Sequence, residues 1–211
     1  MDIQKNRHNP QFGALHIANC GDLKLYKITD SSDLNFLKAL PHNIKTKFLM
    51  PNLTKDEYKR WDEMVEYAVD NALCPGNTTY IETNNNKICG IITFREGKTT
   101  ILDCICTWPT EFGKKVKLAG QTLFYQLFKD FESAKGKKIK LDAITNGPYN
   151  TIEKYEKLGF KTTSNVHPTK IEMEINSTIV QDKLTTLKRI LQYQAAQRNK
   201  VNLFDLIDSF N

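Results

Sequence analysis

The sequence predicts an α+β fold, and three observations carry the prediction. Three strand-like stretches follow one another between residues 80 and 108 with only short turns between them; helical patterns lie before and after them; and a strand–helix–strand unit closes the core. That last unit is the most sharply marked. Ile139, Leu141 and Ala143 alternate with Lys138, Lys140 and Asp142, the period of a strand, and Asn146-Gly147-Pro148 ends it. A short helix follows, with Asn150 as N-cap, Glu153 three residues on, Ile152 and Tyr155 on one face, and Gly159 where a left-handed C-terminal residue is wanted. Phe160 then opens another strand.

The other elements follow in order. Residues 1–22 show little periodicity and read as an N-terminal arm, in which His8, His16 and Cys20 match no compact metal site. Leu23 to Ile28 is the first strand. A helix from Ser31 or Ser32 buries Leu34, Leu37 and Leu40 and stops before Pro41. The next helix starts on a capping box, Thr54 with Glu57, and a hydrophobic staple, Leu53 with Tyr58; Tyr58, Trp61, Met64, Val65 and Ala68 then recur at helical spacing to about Leu73. This stripe is core, or else a wall of an acceptor pocket. Tyr80-Ile81-Glu82 begins a strand that returns through Asn84-Asn85-Asn86 into Lys87–Arg95, whose apolar residues fall on both faces, as in a central strand. Thr99–Trp108 puts Leu102, Cys104, Cys106 and Trp108 on one face and Ile101, Asp103, Ile105 and Thr107 on the other. After Pro109, a polar loop leads into a helix striped by Val116, Gly120, Leu123, Phe124, Leu127, Phe128 and Phe131, and Lys170 to Ile175 is the last strand. From Ser177 the pattern is helical: Val180, Leu184, Leu187 and Leu191 form one stripe, and Leu203 to Phe210 form a second beyond a break at Asn199 to Asn202.

Bulk properties narrow the function. A chain of 211 residues fits one domain plus an appendage. Neither a membrane-length apolar run nor the apolar core of a signal peptide is present, so the expectation is a cytoplasmic protein with no membrane partner. Five irregularly spaced cysteines read as reduced thiols. The net charge of +6 includes one cluster, Lys135, Lys137, Lys138 and Lys140, without interleaved aromatics, which argues against nucleic acid.

The hexapeptide Tyr155-Glu156-Lys157-Leu158-Gly159-Phe160, behind an Asn-bearing loop, resembles the C-terminal signature of the GNAT acyltransferase superfamily, and the element order resembles that family's too. The resemblance implies a GNAT-like mixed, mostly antiparallel central sheet flanked by helices over residues 23–176, with residues 177–211 as a C-terminal helical extension. It also implies an N-acetyltransferase that moves an acetyl group from acetyl-CoA, as cosubstrate, to a primary amine by direct attack and without a metal. The family's diphosphate window reads Arg or Gln, two residues, Gly, one residue, Gly or Ala; here it matches Lys115-Val116-Lys117-Leu118-Ala119-Gly120, followed by Gln121. Backbone N–H groups at that helix start, aided by its dipole, would hold the diphosphate. Lys115 stands in for the Arg or Gln, and Leu118 occupies the first glycine position, where ordinary helical dihedrals would accommodate it. Main-chain groups of Ile105, Cys106 and Thr107 would pair with pantetheine, with Asn146 and Asn150 completing the cofactor set.

By the same resemblance Tyr155 is the acid for the departing thiolate, and Asp103 is the candidate base. Glu82, Glu96 and His167 are weaker candidates, and water can also take the amine's proton. Two rivals stand beside this reading: a thiol nucleophile at Cys104 or Cys106, and a catalytically idle GNAT-like module that binds CoA or a partner. The acceptor is open among small amines, amino acids, antibiotics, peptide N-termini and lysine side chains. The tail is expected to dock on the chain's own core near the acceptor side, with a homodimer built on it as the alternative.

Overall fold

Alternating patterns and short turns dictate hairpins, and the chain builds them from its first described residues. The computed structural model describes residues 14–29, 33, 55–85, 87–108, 116–145 and 151–198. Strands β1 (Leu15–Cys20), β2 (Leu23–Lys27), β3 (Thr78–Asn84), β4 (Lys87–Arg95), β5 (Thr99–Thr107), β6 (Lys138–Ile144), β7 (Lys161–His167) and β8 (Lys170–Asn176) form one sheet in the order β1-β2-β3-β4-β5-β6-β8-β7. Among the described residues every neighbouring pair is antiparallel except β5 and β6, which run parallel. The helices are α1 (Lys55–Leu73), α2 (Ala119–Ser133), α3 (Thr151–Lys157) and α4 (Ser177–Arg198). The helix expected from Ser31 or Ser32, Leu53 and Thr54 of the capping box, and the stripe from Leu203 to Phe210 lie outside the described residues. Among those residues no helix is long and apolar enough to cross a membrane.

The expected arm contains a strand. Residues 15–20 pair with β2 through a two-residue turn, Gly21-Asp22, with Gly21 at φ 62°. A left-handed glycine in the first position of a two-residue hairpin loop is a recognised signal, and the weak alternation of LHIANC hid the strand beside it.

The two faces of the sheet carry different layers. On one, Val65, Ala68, Val69 and Ala72 of α1 pack on Ile81, Ile91, Cys106 and Trp108. On the other, Leu123, Phe124, Leu127, Phe128 and Phe131 of α2 pack on Tyr80, Ile92, Phe94, Leu102, Ile139 and Leu141. Asp130 and Gln126 of α2 are also tied to this face: Tyr80 donates its hydroxyl to Asp130 Oδ2 at 2.5 Å, and Gln126 Nε2 donates to Asp130 Oδ1 at 2.7 Å. Across the β6–β8 pairing, Lys138 pairs with Glu174 at 3.0 Å and Lys140 with Glu172 at 2.9 Å, so half of the lysine cluster is neutralised across strands.

The strict alternation expected along β5 breaks at Asp103. Phe94 pairs with Leu102 while the preceding Thr93 pairs with Cys104, so Asp103 is one residue more than β4 can match. Such a bulge shifts side-chain alternation by one position. Leu102 therefore faces α2, whereas Cys104, Cys106 and Trp108 face α1.

The C-terminal helix docks on its own chain. Val180, Leu187 and Leu191 are buried and Leu184 is half-buried against the same core. The buried side chains of α2 extend from Leu123 round to Thr122 and Gln126, a wider surface than the sheet alone covers, and α4 closes it. Docking is thus on the α2 side of the sheet. We expect Leu187→Ala to destabilise the protein by about 2–5 kcal/mol in urea unfolding. Ile190→Ala, at a site 39% exposed, should change stability by no more than about 0.5 kcal/mol.

Candidate active site

A parallel pair of strands normally continues until one strand ends, but β5 and β6 part early. Their register runs from Thr99 opposite Lys138 to Leu102 opposite Leu141 and stops there, although β5 continues to Thr107 and β6 to Ile144. Beyond that point β5 pairs only with β4 and β6 only with β8. A cavity of about 760 Å³ opens in the gap, lined by residues 102–106 of β5, by Leu141, Asp142 and Ile144 of β6, by Thr151 and Tyr155 of α3, by Lys170, and by Asp56, Lys59, Glu63, Met64 and Tyr67 of α1.

Tyr155 reaches this cavity because α3 ends in a fixed way. Phe160 N–H donates to Tyr155 O at 3.0 Å and Gly159 N–H to Glu156 O at 2.8 Å, the two bonds of a Schellman cap, with Gly159 at φ 95°. A Cβ on Gly159 would also stand 2.7 Å from Ile179 of α4. The ring of Tyr155 is held edge-on by Phe124 and Phe160, at centroid distances of 6.1 and 5.9 Å. Burial pushes its phenol pKa up, and the thiols of Cys104 and Cys106 add to the shift. Tyr155 therefore keeps its proton at neutral pH.

The start of α2 departs from the expectation. Ala119 is its first residue, so Val116 precedes the helix, and Leu118 is the N-cap residue at φ 70° and ψ 0° rather than in helical dihedrals. A glycine would adopt these dihedrals without the penalty of about 1–3 kcal/mol that a left-handed Leu carries. Thr122 N–H makes the first full-turn bond, to Leu118 O at 2.9 Å, and Ala119 N–H donates to Val116 O at 3.5 Å, which leaves the amides of Gly120 and Gln121 at the helix mouth. Gly120 borders open space, since a Cβ there would meet nothing within 4 Å.

No family model and no curated protein matches the sequence. Solved structures do match the fold. A GNAT-family protein from Desulfovibrio desulfuricans superposes with a TM-score of 0.51 at 14% identity, over 74% of this chain and 99% of that one. The PaiA N-acetyltransferase of Thermoplasma acidophilum in complex with coenzyme A gives 0.52 at 14% identity, over 73% and 98%. FdhC, a nucleotide-linked sugar GNAT, gives 0.54 at 12% identity, over 79% and 94%. This chain has the GNAT acetyltransferase fold.

Within that GNAT fold the expected residues separate. Tyr155, Asp103, Ile105 and Cys106 share the cavity, whereas Thr107, Val116, Lys117, Leu118, Ala119, Gly120 and Gln121 do not line it. Lys115, Asn146 and Asn150 lie outside the described residues. Asp103 is gripped by Arg95 at both oxygens, Nε to Oδ2 at 3.1 Å and Nη2 to Oδ1 at 3.0 Å, so accepting a proton would require giving up one of these bonds. Glu96 accepts from Thr78 at 2.7 Å and His167 Nδ1 accepts from Thr169 N–H at 3.2 Å; neither lines the cavity. The wall supplied by Asp56, Lys59, Glu63 and Tyr67 had no signal in the sequence beyond the helical stripe that includes Met64.

Glu82 lies elsewhere, on the α2 face opposite Gly90 and Leu25. It is fully buried with neither carboxyl oxygen hydrogen-bonded. Burial raises its pKa to about 9; the nearby Thr122 hydroxyl opposes the rise, but that hydroxyl donates to Leu118 O at 3.2 Å. Folded protein therefore holds one more proton than unfolded protein between the ordinary carboxyl range and pH 9. The stability this gives is complete below the unfolded pKa and is lost as pH climbs through 9. We expect unfolding titrations across pH to show wild type losing stability relative to Glu82→Gln between about pH 5 and 9, with a slope of at most one proton.

Proposed function

We propose that this protein is an acetyl-CoA-dependent N-acetyltransferase that carries an acetyl group directly to a primary amine. The observation that carries the reading is the opening between β5 and β6 with the Tyr155 side chain in its wall. The fit to the cosubstrate is favourable on two counts. The edge of β5 beyond Leu102 has no strand partner on the β6 side, which suits an extended, amide-bearing chain laid against Ile105 to Thr107. The mouth of α2 offers amides of Gly120 and Gln121 beside the open space at Gly120, which suits a diphosphate. The five cysteines are free thiols, in keeping with a reducing, cytoplasmic setting.

When bound, acetyl-CoA supplies a thioester whose acyl carbon is open to an amine. The chain holds that carbon and the amine together in the gap, which by itself removes several kcal/mol of barrier. Tyr155 directs its hydroxyl at the sulfur as the C–S bond breaks. Because its phenol is more basic than an ordinary thiol, whose pKa is near 8.5, the hydroxyl stabilises the departing thiolate by a strong hydrogen bond. Full release of its proton is not required. The amine's proton leaves to water through the open cavity. The cavity wall holds four carboxylates, Asp56, Glu63, Asp103 and Asp142, and the cations Lys59, Arg95 and Lys170 pair with the last three in that order, so the wall keeps a slight acidic excess that favours an ammonium. The acceptor is accordingly a cationic amine small enough, or thin enough at its end, to enter the gap.

Coenzyme A release with a panel of amines tests the reading. Tyr155→Phe should lower kcat by about 100-fold or more while changing acetyl-CoA affinity little. Normal turnover of that variant would remove Tyr155 from the mechanism. Asp103→Asn should chiefly raise KM for the amine. Gly120→Glu should melt near wild type, because the added side chain has room, yet lose acetyl-CoA binding in calorimetry. One observation favours a second reading, a binding-only module: the strained Leu118 at the glycine position. That module would bind acetyl-CoA but release no coenzyme A, whichever amine of the panel is supplied.

A further inference from the structure

The cavity contains a feature the transfer reaction does not use. Cys104 and Cys106 project from the same face of β5, past the bulge at Asp103, with their sulfurs 3.9 Å apart. Both line the cavity, and Cys106 Sγ also donates to Met64 O at 3.8 Å. We infer that Cys104 and Cys106 form a chelating dithiol site for trivalent arsenicals of the type R–As(OH)2, set in the wall of the proposed acyl-transfer cavity.

The geometry selects a bridging atom over a direct bond. Alternate residues of an extended strand have Cα atoms about 6.6 Å apart, at the upper end of the span a disulfide accepts, and a disulfide further needs sulfurs about 2.05 Å apart. With element–sulfur bonds near 2.3 Å, the length of a zinc–thiolate bond, and a bond angle near 100°, a bridging arsenic sets its two sulfurs about 3.5 Å apart. Small side-chain rotations close 3.9 Å to that value. Ligand number points the same way. Among the described residues no group of three or more His, Cys, Asp or Glu side chains could hold a metal ion, so the dithiol would give a metal only two donors. A monosubstituted arsenical has two exchangeable positions, and two thiols satisfy it.

The step balances without an oxidant. Each thiol S–H is replaced by an S–As bond, each As–OH leaves with that hydrogen as water, and arsenic stays trivalent throughout. Two waters are released and no thiolate has to form beforehand. That suits Cys104, which its hydrogen bond to Cys106 and its burial hold protonated. The apolar surfaces of Met64, Ile105, Tyr67 and Tyr155 give an aryl substituent a place to lie. Capture there would occupy the space beside Tyr155, so it should also stop acyl transfer; that consequence rests on the proposed function, whereas the binding does not.

Phenylarsine oxide added to the full-length chain tests the site. We expect one adduct per chain by intact mass, loss of two titratable thiols, release by a small dithiol, and resistance to a monothiol. Cys104→Ser and Cys106→Ser should each weaken capture by about 100-fold or more, because the second thiol acts as an intramolecular ligand. Cys74→Ser, at an exposed single thiol, should leave capture unchanged. An adduct that survives in the Cys104→Ser/Cys106→Ser double variant, or four or five titratable thiols after treatment of wild type, overturns the site. One bound arsenical per chain with amine acetylation unaffected keeps the dithiol site and instead counts against the proposed function of the cavity.

Discussion

The rest of the structure depends on one residue too many in β5. Asp103 has no counterpart in β4, and the pairing of β5 with β6 ends at the residue before it. A bulge bends its strand and increases its twist, so β5 turns away from β6 where it would otherwise have continued the sheet. Three consequences share that cause. The sheet opens into a cavity in place of a closed core, the main-chain edge of residues 103–107 is left without a strand partner, and Cys104 and Cys106 turn to the α1 side, into that cavity. Asp103 itself, tied by both oxygens to Arg95, fixes the bulge to the neighbouring strand.

What the bulge opens, the helices hold to a fixed width. The cap of α3 locks the carbonyl of Tyr155 to Phe160, and Gly159 brings α3 against Ile179 with no space for a side chain. The C-terminal helix thus contributes to the cavity at second hand: it lines none of it, but it packs on α2 and backs the turn that carries Tyr155. The aromatic cluster of Phe124, Phe160 and Tyr155 links the same elements through the core.

Three departures from local rules share one region. Leu118 takes a left-handed conformation, Glu82 is buried without a partner, and Cys89 is an unmatched residue opposite β3. All three gather under the first turn of α2, where Leu23, Cys89 and Ala119 pack together. Folded proteins concentrate such costs where function needs a particular shape.

The sequence by itself determined the elements whose signals are local. The alternation of β6, the cap at Gly159, the hairpins between residues 80 and 108 and the stripe at Val180, Leu184, Leu187 and Leu191 depend on neighbours a few residues apart, and each was readable as such. The placement of Tyr155 beside β5 followed from the family resemblance of that same short stretch. Tertiary structure decided what depends on partners far along the chain. Whether β5 matched β4 residue for residue could not be read from β5, so the faces of Leu102 and Cys104 were assigned together and had to be separated. The strand at residues 15–20 exists because β2 offers it an edge, and the left-handed turn at Leu118 belongs to the packing of the start of α2 on Leu23 and Cys89. Glu82 was an ordinary strand carboxylate until α2 covered it; burial is a property of the surroundings, and no residue carries it in its own sequence.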